Sequence, residues 1–246
     1  MGFTIGVVGA SGGVGASTLT AALVTRAQTI LDSCGATVAV DLDSRGGLDT
    51  TLCLEHLDGL RWPDLEVLTW GSEPAEDLLL AQLPAADGVH VLAGRGEENP
   101  QWSLVADTLD ALGPQSDLIA LDCGARPPVP LLSRLDVLVI LTRTTVKGLA
   151  DLRALEAACP LGRTHAVLVS RGPRGVGNSA AAARISRLPS AMHLVDDARV
   201  VRQAERGLPP GTDRSALDAV ADELLTMADT TWLNALISRV PAGRGR

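Results

Sequence analysis

Three stretches of the chain are apolar at nearly every position: LIALD (118–122), VLVILT (137–142) and AVLVS (166–170). A strand covered on both faces reads this way, without alternation of apolar and polar residues. Shorter runs of the same kind predict strands over Thr4–Val8, Val38–Asp41, Val89–Ala93 and Met192–Val195 as well. Between the runs, apolar residues return every three or four positions. That spacing predicts helices over Ser17–Leu31, Pro74–Gln82, Trp102–Leu112, Val146–Ala158, Ser179–Arg187, Ala198–Arg206 and Ser215–Arg239. The last helix sets an apolar stripe (Leu217, Val220, Leu224, Met227, Leu236, Ile237) against an acidic side (Asp218, Asp222, Glu223, Asp229), and reads as breaking near Thr230. Strands alternating with helices predict an α/β fold, a mostly parallel twisted sheet flanked by helices.

Composition narrows the picture. A chain of 246 residues, 46% hydrophobic, fits one large domain over 1–240 with a flexible tail at 241–246. One Phe, four Trp and no Tyr leave the core to Leu, Val, Ile and Ala. The net charge of −8 excludes broad nucleic-acid binding, which needs a basic surface. Cys34, Cys53, Cys123 and Cys159 form no C-x-x-C, which suits reduced thiols in the cytoplasm. These 246 residues indicate no signal peptide, and no apolar run among them approaches the length of a membrane span. The acidic side of the last helix has the wrong sign for anionic lipid, so any membrane contact is expected to be peripheral.

The chemistry concentrates in VVGASGGVGAST (7–18). This glycine-rich turn follows a predicted strand and opens a predicted helix, so backbone N–H groups from Gly12 to Thr18 converge on an anion at the helix N-terminus. Two ligand classes fit it. A phosphate-binding P-loop has the form G-x-x-x-x-G-K-[ST], and here Ala16 takes the lysine's place. The same letters match the dinucleotide turn of short-chain dehydrogenases, whose Tyr-x-x-x-Lys pair is ruled out in a chain without tyrosine. A cysteine-dependent oxidoreductase would turn on Cys123, which directly follows a buried strand without an evident histidine partner and reads as an inert thiol.

Two acidic strand ends favour the P-loop. VAVDLDS (38–44) ends on Asp41 and Asp43, and LIALDCGARPP (118–128) places Asp122 ahead of Gly124. Carboxylates at strand C-termini face the crevice where an α/β sheet binds its ligand. Asp122 reads as a Walker B aspartate holding Mg²⁺ through water, with the Ser17 hydroxyl as a second ligand. On these residues the chain resembles the MinD/ParA class of P-loop ATPases, whose deviant Walker A box is K-G-G-x-G-K-[ST]. Ser11-Gly12-Gly13-Val14-Gly15-Ala16-Ser17-Thr18 aligns with that box, VDLDSRGGLD (40–49) with its switch I and LDCGARPP (121–128) with its switch II. LVSRG (168–172) and LVDDARVVRQAERGLPP (194–210) resemble its adenine-side strand and closing segment. GLRWPDL (59–65) is similar to the actinobacterial CpaE/TadZ-like, septum-site-determining branch.

The resemblance implies ATP and Mg²⁺ as cofactors, bound by residues 11–18 together with Ser170 and Arg171, with Ser17, Asp41 and Asp122 at the metal. It implies Asp43 as the carboxylate that positions the attacking water. It implies a homodimer across the P-loop face and, as partners, Tad-type pilus or secretion machinery or division proteins at the inner membrane or cell pole. Relatives of this kind usually carry a receiver-like domain ahead of the ATPase-like one. The family's two lysines map to Ser11 and Ala16. Losing one charge-assisted hydrogen bond weakens nucleotide binding roughly 10- to 100-fold, and hydrolysis suffers more, since phosphoryl transfer rests on positioning and electrostatics. Arg45 and Arg126 are the cations near the switches that would replace the lost charge. A scaffold that binds no nucleotide, and more remotely an NAD(P)-dependent oxidoreductase, remain the alternatives.

Overall fold

The computed structural model describes residues 2–30, 35–43, 45–67, 78–94, 99–160, 165–175, 178–188 and 190–239, with the helix backbone alone over 228–239. Its strands are β1 (Phe3–Gly9), β2 (Thr37–Asp41), β3 (Ala85–Ala86), β4 (Val89–Leu92), β5 (Leu118–Asp122), β6 (Val137–Arg143), β7 (His165–Gly172) and β8 (Ser190–Val195). The helices are α1 (Ala16–Ile30), α2 (Leu48–Thr51), α3 (Trp62–Glu66), α4 (Trp102–Leu112), α5 (Val146–Ala158), α6 (Asn178–Ile185), α7 (Ala198–Ala204) and α8 (Ala216–Arg239). All eight strands form one sheet in the order β3-β4-β2-β5-β1-β6-β7-β8. Every pairing is parallel except β3 with β4. This is the mostly parallel, helix-flanked sheet that the apolar runs predict.

Successive residues of the central strands enter cores on opposite faces of the sheet. Ala39, Ala120, Val139 and Leu141 pack with Leu19 and Leu23 of α1 and with Leu217 and Leu224 of α8. Val38, Val40, Ile119, Leu121, Leu138 and Ile140 pack with Trp62 and Leu65 of α3, Leu109 of α4 and Leu152 of α5. Both faces are dry, which is why these strands carry no polar alternation. The arrangement brings the C-terminal ends of β1, β2 and β5 side by side, with Asp41 in register with Asp122 and Asp122 with Val7.

Some expectations change. The helix expected over Pro74–Gln82 falls partly outside the described residues, and its described end is a short 3₁₀ turn at Leu80–Gln82. The last helix does not break at Thr230 but runs on to Arg239. Asp218 is not on a solvent face: it is 2% exposed, and its carboxylate accepts from the Ser215 hydroxyl and the Asp213 N–H. Asp222 pairs with Arg26 of α1 at 2.6 Å. Asp218 thus closes the turn that opens α8, and Asp222 fastens the helix to α1. The tail at 241–246 lies outside the described residues.

Candidate functional site

The P-loop leaves β1 at Gly9 and enters α1 at Ala16. Two of its residues have positive φ, Gly13 at 70° and Gly15 at 102°, a region that side chains disfavour. The loop is anchored behind by Gly9 N–H on the Gly124 carbonyl and by Ala10 N–H on the Leu141 carbonyl, both at 2.9 Å. In front of it lies a cavity of about 480 Å³, walled by residues 11–18, Asp43, Arg45, Asp122, Gly124 and Arg171 among others. A second cavity of about 390 Å³ shares Gly15, Thr18, Thr51 and Arg171 with the first. Its remaining wall includes Leu194, Val200 and Val201, together with Leu217 of α8.

Asp122 and Ser17 line the first cavity together, with the serine hydroxyl close enough to the carboxylate to favour its charged form. The Gly124 N–H donates to Asp122 Oδ1 at 3.1 Å. Burial pushes the Asp122 carboxyl above the usual carboxylate range, against the nearby Ser17 hydroxyl and the Gly124 N–H. A hydroxyl beside a carboxylate at the mouth of a phosphate-sized loop is a hard-oxygen donor set that suits Mg²⁺, which completes its shell with water and phosphate oxygens. Among the described residues there is no cluster of three His, Cys, Asp or Glu that would hold a metal unaided.

The three aspartates have different positions. Asp41 is 2% exposed and does not line the cavity; its oxygens accept from the N–H groups of Asp43 and Leu48, both at 3.0 Å. Burial, with the charges of Asp122 and Asp43, raises its carboxyl to about 7 against those bonds. Asp41 thus braces the loop after β2 and the start of α2. Asp43 does line the cavity, and accepts from Arg45 through the backbone N–H, Nε and Nη2, the last at 2.6 Å. Arg45 holds the Asp43 carboxyl below its ordinary range.

Ser170 and Arg171 separate in the same way. Ser170 is fully buried, its hydroxyl 3.0 Å from His193 Nδ1 and 3.3 Å from the Met192 carbonyl, so it ties β7 to β8 and is not part of the cavity wall. Arg171 reaches the P-loop: its Nη1 donates to the Val14 carbonyl at 2.7 Å and its Nε to Asp196 at 2.8 Å. Arg126 is exposed. Cys123 is buried at 2% exposure, and burial drives its thiol far above the ordinary range, which fits an inert side chain.

Residue-by-residue reading of the sequence missed the brace behind β2. The Trp62 indole N–H donates to the Asp41 carbonyl at 2.6 Å, and the Arg61 guanidinium, 5% exposed, reaches Asp49 at 3.4 Å. Asp64 caps α3 by accepting from the Arg61 N–H at 2.8 Å, with Pro63 in the first turn. The signal was present in R-W-P-D: proline at a helix start and a carboxylate three residues after the cap are the usual marks of a helix N-terminus.

No family model matches the chain. The uncharacterized protein Rv3660c of Mycobacterium tuberculosis strain H37Rv is 30% identical over 247 residues, which cover 91% of this chain, and an identically matching protein, MT3760, occurs in strain CDC 1551. The chain spans 63% of the length of those relatives. Among solved structures, a ParA family ATPase from Chlorobium tepidum TLS superposes with a TM-score of 0.68 at 17% identity, over 91% of this chain and 98% of that one. The septum site-determining protein MinD of Pyrococcus horikoshii OT3, complexed with Mg-ADP, gives 0.65 at 17% identity, over 94% and 99%. With its P-loop between β1 and α1, a parallel sheet and an aspartate at the end of β5, the chain has the P-loop fold of the MinD and ParA ATPases.

Proposed function

We propose that the chain is a nucleotide-responsive positioning factor that takes ATP and Mg²⁺ in the P-loop cavity, pairs with a second copy across that face, and hydrolyses slowly or not at all. The observation that carries this reading is the meeting of Ser17 and Asp122 beside a glycine loop whose positive-φ residues turn its backbone around a cavity of about 480 Å³. Bound there with ATP, Mg²⁺ supplies neutralisation of phosphate charge. Ser17 and Asp122 would hold it, while the loop N–H groups and the N-terminus of α1 bind and orient the phosphates.

Slow turnover follows from two features of the wall. Ala16 and Ser11 bring no positive charge to the phosphates. Asp43, the carboxylate available to orient a water, is engaged by Arg45 through three donors, which leaves it less basic toward a water. The resemblance of the motifs, and the septum-site role in the name of the Pyrococcus protein, support spatial placement of a division, pilus or secretion assembly as the task. Among the described residues no helix is long and apolar enough to cross a membrane.

Titration calorimetry with ATP and Mg²⁺, paired with thermal unfolding, tests the reading. Saturable heat and a rise in Tm with ATP are expected. No heat and no shift up to millimolar ATP overturns nucleotide binding and leaves the scaffold reading; protection by NAD(H) or NADP(H) without any by ATP turns the assignment to an oxidoreductase.

A further inference from the structure

We infer that Arg171, at the end of β7, supplies the phosphate-binding charge that the P-loop itself lacks. The inference rests on the nucleotide-binding reading above and names the cation of that site. Among the described residues that wall the P-loop cavity there are two cations, Arg45 and Arg171. Arg45 is 70% exposed and its charge is matched by Asp43, which it grips bidentately. Arg171 is 24% exposed and stands in the shared wall of the two cavities.

Three features set Arg171 apart. It sits against the loop at the right residue: a Cβ built on Gly15 would meet its Nη1 at 2.6 Å, one residue before Ala16. Gly15 is therefore glycine on two counts, its φ of 102° and the guanidinium lying against it. Next, the charge of Arg171 is only partly matched. Its carboxylate partner Asp196 also faces Arg143 at 3.7 Å, so two guanidinium groups share one carboxylate and leave a local excess of positive charge. Last, two of the five guanidinium N–H groups are spent, on Val14 and Asp196. The three others have no hydrogen-bond partner among the described residues. A planar fork fixed at one edge, with further donors at the cavity wall, is suited to phosphate oxygens.

The ligand class is a polyphosphate chain, carried by a nucleotide or free in solution. Titrating MgATP and magnesium tripolyphosphate into the wild type, Arg171→Gln, Arg171→Lys, Ala16→Lys and the double variant Ala16→Lys/Arg171→Gln distinguishes the sources and the roles. Arg171→Gln is expected to weaken both ligands by about 10- to 100-fold, and Arg171→Lys to retain most of the affinity. Ala16→Lys is expected to restore binding in the Gln background, and to tighten ATP binding less in the wild-type background, where a cation already serves. Because Arg171 also ties down Val14, the rescue separates charge from support: a loop that has lost its shape is not restored by a lysine at position 16. Wild-type affinity in Arg171→Gln, or failure of the lysine to rescue, overturns the inference and leaves the proposed function standing. Loss of ATP binding with tripolyphosphate unaffected overturns it too and makes Arg171 a reader of base or sugar. A wild-type protein that binds no nucleotide overturns both.

Discussion

β2 and β5 lie side by side and end on aspartates in register, Asp41 and Asp122, yet the two strand ends do different work. After Asp122 the chain turns away through Gly124, which has a φ of 59°, and the carboxylate faces the cavity with Ser17 beside it. After Asp41 the chain folds back. The N–H groups of Asp43 and Leu48 take both carboxylate oxygens, and Trp62 covers the strand end from behind. Residue type and strand position are the same. What differs is where the following loop leaves the carboxylate: Asp122 lines the cavity, whereas Asp41 is turned against the N–H groups of the loop behind it.

The contrast breaks most sharply at Asp41. Asp41→Ala leaves one buried and one part-buried N–H group without an acceptor and is expected to cost about 3 kcal/mol of stability at pH 5, read by chemical denaturation, with little change in Mg²⁺ affinity per folded molecule. Its pH dependence is a second readout. Since the folded carboxyl titrates near 7 and the unfolded one near the ordinary value of 3.8, the folded state binds this proton more tightly. Its contribution to stability is full below the unfolded value and declines as pH rises through 7. The penalty of Asp41→Ala is thus larger at pH 5 than at pH 8; a penalty that grows with pH would refute the buried acid.

Trp62→Phe removes the donor to the Asp41 carbonyl while keeping an aromatic ring, and is expected to cost about 2 kcal/mol in the same measurement. A neutral result would mean that α3 does not brace β2. The smallest effect is expected at Asp122. Asp122→Ala leaves only the Gly124 N–H without its acceptor, so it should cost about 1 kcal/mol of stability and weaken Mg²⁺-dependent nucleotide binding by about tenfold, seen by calorimetry with and without Mg²⁺. If Asp122→Ala instead unfolds the protein and Asp41→Ala removes the metal dependence, the roles assigned to the two strand ends are reversed.

The sheet was legible because its central strands are buried on both faces, a demand that only continuous apolar runs such as VLVILT satisfy. The P-loop was legible because its glycine spacing serves the backbone directly. α2 and α3, at four and five residues, were not, because their support comes from contacts with Asp41, Asp49 and the sheet rather than from their own periodicity. The same reason hid the roles of Asp41 and Ser170: each sits at a strand position that also suits a ligand contact, and only the folded neighbours show that its polar atoms are taken. Asp218 read as surface because helical spacing reveals a side of the helix and not the turn that folds over it. Arg171 meets Val14 across 157 positions of chain, a separation over which no local motif carries information.

Gly124 and Asp43 stand so near one another that a Cβ at 124 would lie 3.1 Å from the Asp43 carboxylate, tighter than most side-chain contacts. The bare backbone at 124 is thus what lets the loops after β2 and β5 converge on one cavity. A bulkier residue there would act as a wedge between the two strand ends.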